Sequence, residues 1–450
     1  MTDRTPRLRG IAYGDVRSRV ARLRATLEKE HNAEAMLVSS AANIRYLTGF
    51  TGVSTGLLVL PDRLALIADG RYRTRAVHTI SAPHLVQEGA EVILPHLAAM
   101  TIKQSLPSSA PLVIEADNVT MAEYKRLASE LAGHKLVPAD DIVLEQRLIK
   151  DAGEIARISA AAAITDAALE DLIAAEPLGW TELQAAEFIW QQMIAIGAER
   201  AAFEPIVATA ERTALAHSRP SRARIEENTL VVMDFGAEID GYKADLTRTL
   251  WWGELPPELE DHYEHVRQAY DAAVASLNPG TPREVVDAAA RDVLAAYDLE
   301  QFIVHPCGHN LGLEIHERPF LGQGCHGELA AGNVVTVEPG IYIPDIGGIR
   351  LEDTFILTDD GPVAVTAQRH MGGIERRRGS ATRPNAPTLS STQIPGPHVH
   401  WDEDDFSERF VDFEKVDDHK RFLLGDQAPW LPVESKPDQG GQPPGDREER

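Results

Sequence analysis

The stretch VVMDFGAEIDGYKADLTRTLWW, residues 231–252, sets two strand-forming apolar runs on either side of Asp240-Gly241. That dipeptide favours the positive-φ turn of a tight hairpin. The runs 230–235 and 246–251 read as the two strands. With the turn centred between 239 and 240, Asp234 and Asp245 lie directly opposite. Centred between 240 and 241, they are diagonal neighbours on one face. Either way their Cβ atoms lie roughly 4.5–8 Å apart. That separation suits carboxylates holding metal ions about 3.5–4 Å from one another. Asp234 follows Val231-Val232-Met233, and an acid closing a buried strand must be paired, hydrogen-bonded or metal-bound.

The same pattern recurs further along. Glu338 follows Val334-Val335-Thr336-Val337 in TVEPGIY, His309 lies in HPCGHNLGLEIHE, and Glu352 lies in GGIRLED. Four carboxylates and one imidazole form the ligand set expected of two hard or borderline divalent cations. Taken singly, each acid reads as a solvated strand residue. Gathered in one pocket, they repel and take up protons unless cations neutralise them. Two competing motifs fall away. Asp234-Phe235-Gly236 spells a kinase string, but no Gly-rich phosphate loop or HRD string precedes it. The single-zinc HEXXH signature is absent, since His316-Glu317 has no second histidine four residues after the first.

The chain has 450 residues, room for two or three domains of roughly 100–200 residues each. At 43% apolar and 25% charged, its composition is neither disordered, collagen-like nor that of a disulfide scaffold. Asp plus Glu total 69 against 44 Lys plus Arg, a net charge of −25 that argues against nucleic acid and fits attraction for cations. Cys307 and Cys325 are too few for a disulfide framework. No apolar run is long enough for a membrane span, and the first residues lack a signal-peptide core, so a cytoplasmic protein is expected.

Residues 1–145 alternate helical and strand-like patterns, the mark of a small α/β domain. Helices are expected over 15–31 and 121–132, strands over 35–39 and 111–115, and a hairpin from 56–60 and 64–68. An Ala-rich helix over 151–175 leads into a mixed region, 146–375. Helices are expected there at 181–196, 257–276 and 282–298, with strands at 230–235, 246–251, 334–337 and 350–357. Beyond 376 the chain turns rich in Ser, Thr, Pro and Gly, and residues 401–450 carry 15 acidic against 7 basic side chains. This composition marks 376–450 as a disordered acidic extension.

The strings DFGAEIDGYKADLTRT, GHNLGLEIHE, VEPGIY and GIRLED resemble the pita-bread-fold metallopeptidases: Xaa-Pro dipeptidase (prolidase), aminopeptidase P and methionine aminopeptidase. The order and spacing of the five positions match the proline-specific branch. NIRYLTGFTG (43–52) and ADGRY (68–72) resemble the creatinase-type N-terminal domain of that branch. The resemblance spans about 12–368 and implies an α+β fold: a pita-bread catalytic domain behind a smaller α/β creatinase-type domain. It implies that Asp234 binds one metal, that Asp245 and Glu352 bridge both, and that His309 and Glu338 complete the other. His217 (in LAHSRP), His305 and His316 match active-site histidines, and Arg350 matches an arginine orienting the bridging acid. HPCGHN departs from the usual small-residue pattern at Pro306, Cys307 and Asn310.

The implied activity is hydrolysis of Xaa-Pro bonds in small peptides with proline second, by a metal-bridging hydroxide, with Glu338 as proton shuttle. Two divalent ions are implied, Mn²⁺ first, with Co²⁺, Fe²⁺ or Zn²⁺ as alternatives. A homodimer is implied as well, with neither nucleic acid nor membrane as a partner. The alternative is a metal-free creatinase-like hydrolase or a non-catalytic binding module of the same fold, whose mark would be loss of the ligands. All five are intact.

Overall fold

The computed structural model describes residues 14–53, 55–367 and 372–374, so the expected extension over 376–450 lies outside the described residues. The chain opens with the helix Val16–His31, capped by the Asp15 side chain on the Ser18 amide and closed by Asn32 at φ 46°. Val16, Val20, Leu23 and Leu27 bury one face at helical spacing. That face packs on a six-stranded mixed sheet. Its strands, in spatial order, are Glu91–Ile93, Leu64–Ile67, Gly56–Val59, Ala35–Val38, Pro111–Glu115 and Lys135–Ala139. The string Asn43 to Gly52 overlaps an unforeseen helix, Ala41–Thr48, set by a Ser40 N-cap and a left-handed Gly49.

The helix Ala152–Ala174 starts at a capping box formed by Asp151 and Glu154, and enters the second domain. With Glu182–Ile196 it covers a sheet of Ile206–Thr209, Val231–Phe235, Leu246–Trp252 and Gly373–Ile374. A second helix pair, Pro257–Ser276 and Arg283–Ala295, covers Val334–Val337, Asp353–Thr358 and the hairpin Gly340–Ile343/Gly347–Arg350. Val334–Val337 and Asp353–Thr358 belong to a five-stranded sheet with Glu317–Leu321, Gly308–Asn310 and Gly361–Ala364. The isolated bridge between Thr247 and Glu352 joins the two sheets. Among the described residues no helix is long and apolar enough to cross a membrane.

The hairpin takes the second of its two open registers. Asp234 pairs with Thr247 and Phe235 with Leu246, and Ile239 pairs with Tyr242 around Asp240 (φ 50°) and Gly241 (φ 79°). Asp234 and Asp245 are therefore diagonal neighbours on one face. The expected strand 350–357 is divided, because Leu351-Glu352 leaves the Gly347–Arg350 strand to make the bridge to Thr247 before Asp353–Thr358 begins. The helix expected over 282–298 stops at Ala295, and the chain turns back at Asp298, φ 58°.

Candidate active site

The site lies where the two sheets meet. Asp234 belongs to Val231–Phe235, Asp245 precedes Leu246–Trp252, His309 sits in Gly308–Asn310, Glu338 follows Val334–Val337, and Glu352 is the bridge residue. Val337 pairs with Asp353, so continuing that register by one residue sets Glu338 across from Glu352. Gly308 lets the His309 strand approach its neighbour. A Cβ there would stand 2.1 Å from the Thr336 carbonyl oxygen. The sequence-selected residues Asp234, Asp245, His217, His305, His309, His316, Glu338 and Arg350 all line one cavity of about 560 Å³. Phe203, Ile206, Pro220, Ile315 and Phe320 supply its apolar walls. Glu352 stands behind them, 1% exposed.

One ligand atom each from Asp245, His309 and Glu352 fall within 4.8 Å of one another. His309 Nε2 is 3.5 Å from Asp245 Oδ2 and 3.3 Å from Glu338 Oε1. His309 Nδ1 lies 3.0 Å from the Asn310 carbonyl, which can only accept, so Nδ1 carries a proton. Its Nε2, on the other side of the ring, faces the two carboxylates. Among the described residues, the buried Asp234 Oδ1, Asp245 Oδ1 and Glu352 Oε1 have no hydrogen-bond partner. Buried carboxylate oxygens left bare are rare and costly. This donor set fits divalent metal: charged oxygens and one imidazole converge with nothing else to satisfy them.

The electrostatics agree. Burial pushes the carboxyls of Asp245 and Glu352 well above the ordinary range, and the neighbouring acids push the same way. Burial also raises Asp234, against the opposing pull of Arg350. Glu338 differs. Burial acts to raise it, but His309, His305 and Arg350, with the Thr336 hydroxyl at 3.1 Å, hold it below the usual value. Of the four acids, Glu338 has the strongest preference for the ionised form.

Arg350 touches one acid directly and another through a relay. Its Nη2 donates to Asp234 Oδ2 at 2.5 Å. It reaches Glu352 only through Thr247, whose Oγ1 accepts from Arg350 Nε at 3.0 Å and donates to Glu352 Oε2 at 2.6 Å. Arg350 Nη1 also donates to the Tyr342 hydroxyl at 2.6 Å. Burial pushes that phenol up to about 12, so it keeps its proton. His305 Nδ1 lies on the Pro306 carbonyl and so donates, leaving Nε2 to accept from Tyr342 at 2.8 Å. His316 meets His309 edge-on, ring centroids 4.5 Å apart. Tyr342, Thr247 and Thr336 escape sequence reading. Each looks like an ordinary strand residue until the sheets bring it beside an acid.

A family model described as metallopeptidase family M24 matches residues 156–359, and one described as the creatinase/prolidase N-terminal domain matches 19–149. The chain is 36% identical over 334 residues to "Uncharacterized peptidase YqhT" of Bacillus subtilis, spanning 74% of this chain and 93% of that one. Among solved structures, the Xaa-Pro dipeptidase from Bacillus anthracis aligns with a TM-score of 0.75 at 31% identity, covering 80% of this chain and all of that one. An X-Pro aminopeptidase from Thermotoga maritima aligns at 0.70 and 28%, covering 79% and 100%. The architecture is therefore that of a pita-bread enzyme behind a creatinase-type domain. The chain belongs to metallopeptidase family M24.

Proposed function

We propose that this metallopeptidase cleaves Xaa-Pro bonds with two divalent ions held by Asp234, Asp245, His309, Glu338 and Glu352. The observation that carries the reading is the group of bare, buried carboxylate oxygens gathered around His309. Oxygen-rich ligation with one imidazole puts Mn²⁺ first, with Co²⁺, Fe²⁺ and Zn²⁺ as alternatives. When bound, the metal ions would supply the Lewis acidity that makes a water nucleophilic near neutral pH.

The chain's own residues do the rest. Glu338, held ionised by His309, His305 and Arg350, takes the proton of the attacking water and delivers it to the leaving nitrogen. That nitrogen belongs to a tertiary amide without an N–H, so recognition falls to shape. The walls of Phe203, Ile206, Ile315 and Phe320 suit a prolyl ring. His217 and His316, both facing the cavity, stabilise the negative charge that develops on the carbonyl oxygen. Arg350 fixes Asp234 and, through Tyr342, the ring of His305.

Dipeptides are the first-choice substrates, and a homodimer is the expected assembly, to be tested by light scattering. Substrate range is tested with Ala-Pro, Gly-Pro, Ala-Leu and an Xaa-Pro-Xaa tripeptide, each with added Mn²⁺. Cleavage of the prolyl dipeptides with little of Ala-Leu is expected. Faster cleavage of the tripeptide assigns the aminopeptidase activity instead. Equal cleavage of Ala-Leu would refute proline specificity.

A further inference from the structure

The string Asn43 to Gly52 lies outside the catalytic cavity, yet Asn43 is 6% exposed and joined to it by a buried polar chain. Glu115, at the end of Pro111–Glu115, accepts on Oε2 from the Ser39 and Ser40 amides, both at 2.6 Å, and from the Ser39 hydroxyl at 2.9 Å. Its Oε1 accepts from Asn43 Nδ2 at 2.7 Å. That contact fixes the amide, turning Oδ1 to accept from Arg147 Nη1 at 2.7 Å. Arg147 Nη2 donates to Glu317 Oε1 at 2.5 Å and to Glu314 Oε2 at 2.9 Å. Lys150 Nζ donates to the other Glu317 oxygen at 3.1 Å. One residue further on, Arg318 pairs with Asp141 at 2.9 Å.

Of these, Glu314, Glu317 and Arg318 lie within two residues of His316. Leu311 and Leu313, from the same segment, sit in the core of the N-terminal domain with Ile44, Leu47, Ile142 and Val143. The segment is thus fastened by apolar contacts before His316 and by ion pairs on either side of it. Among the described residues the His316 ring meets His309 edge-on and makes no hydrogen bond, so its position depends on what holds its backbone.

We infer that the N-terminal domain acts on the reaction through this chain, with Asn43, Arg147 and Glu317 as positioning residues for His316. The inference rests on the reading of His316 as facing substrate. Arg147 is suited to the role because its planar fork reaches Asn43 through Nη1 and both glutamates through Nη2, positions that one ammonium nitrogen does not span in the same geometry.

The test uses the full chain carrying Asn43→Ala or Arg147→Lys. Asn43→Ala leaves the Arg147–Glu317–Lys150 pairs in place and keeps the test usable should the arginine variant fail to fold. In the metal-free protein, amide hydrogen exchange in a peptide spanning 311–318 is expected to quicken about tenfold, with 334–338 unchanged. In the Mn²⁺-loaded protein, kcat on Ala-Pro is expected to fall about tenfold with KM within about twofold and bound metal unchanged. Exchange at 311–318 like that of the wild type overturns the inference. So does faster exchange with unchanged kcat. A wild-type protein inactive on every Xaa-Pro peptide refutes the peptidase reading instead, and the exchange result then decides whether the N-terminal domain holds the segment.

Discussion

Glu317 gives a sharp test of the electrostatics behind the catalytic segment. It is 1% exposed, with Arg147 at 2.5 Å and Lys150 at 3.1 Å. Burial alone would raise its pKa, but the two cations overcome that and hold it at about 2 against an ordinary 4.5. A depressed carboxylate stabilises the fold above its unfolded pKa, and that contribution is lost as pH falls through the folded one. That lowering corresponds to about 3 kcal/mol, of which about 2 kcal/mol disappears between pH 5 and pH 3. Urea unfolding of wild type and Glu317→Gln across that range measures it. The variant is less stable at pH 6, because it removes the carboxylate paired with buried Lys150 and leaves buried Arg147 only the half-exposed Glu314. The gap between the two proteins should narrow by about 2 kcal/mol on acidification. A gap independent of pH would refute the ion-pair reasoning.

Other outcomes follow from the same structure. In metal-free protein, Asp245→Asn removes one of the crowded acids and should raise stability near neutral pH by about 1–2 kcal/mol, read by thermal unfolding. In loaded protein it should abolish turnover. His217→Ala should lower kcat about a hundredfold while elemental analysis finds the metal retained; metal loss would place His217 among the ligands. Asp166 accepts from the Ala367 amide at 2.8 Å, and burial lifts its pKa to about 6. Between its unfolded pKa and 6 the unfolded chain has lost a proton that the native state keeps, so the wild type loses stability as pH rises through that window. Asp166→Asn keeps an acceptor for Ala367 and should gain about 2 kcal/mol over wild type above pH 6, fading at lower pH.

Much of this was legible in the chain because local chemistry and long-range geometry coincide. Asp240-Gly241 favours a two-residue turn, and both two-residue registers put Asp234 and Asp245 on one face. The apolar runs before Asp234 and Glu338 mark strand ends where a charge demands a partner. Other features depend on contacts between distant segments and leave no local trace. Arg147 and Glu317 form a buried pair across 170 positions of sequence. Tyr342 reads as a strand aromatic, and its phenol becomes a link only where Arg350 and His305 converge. The helix Ala41–Thr48 spans eight residues, too few for helical spacing to show. Arg350 sits two residues from Glu352, yet the turn of the chain at Leu351 aims its guanidinium at Asp234.

Mn²⁺ titration of metal-stripped protein, counting bound ions while following Ala-Pro hydrolysis, tests most directly whether the buried acids exist to hold metal. Two ions per chain should bind, hydrolysis should appear with them, and Asp245→Ala should lose both. Hydrolysis at full rate by protein free of bound metal, or an undiminished ion count in Asp245→Ala, would contradict the account.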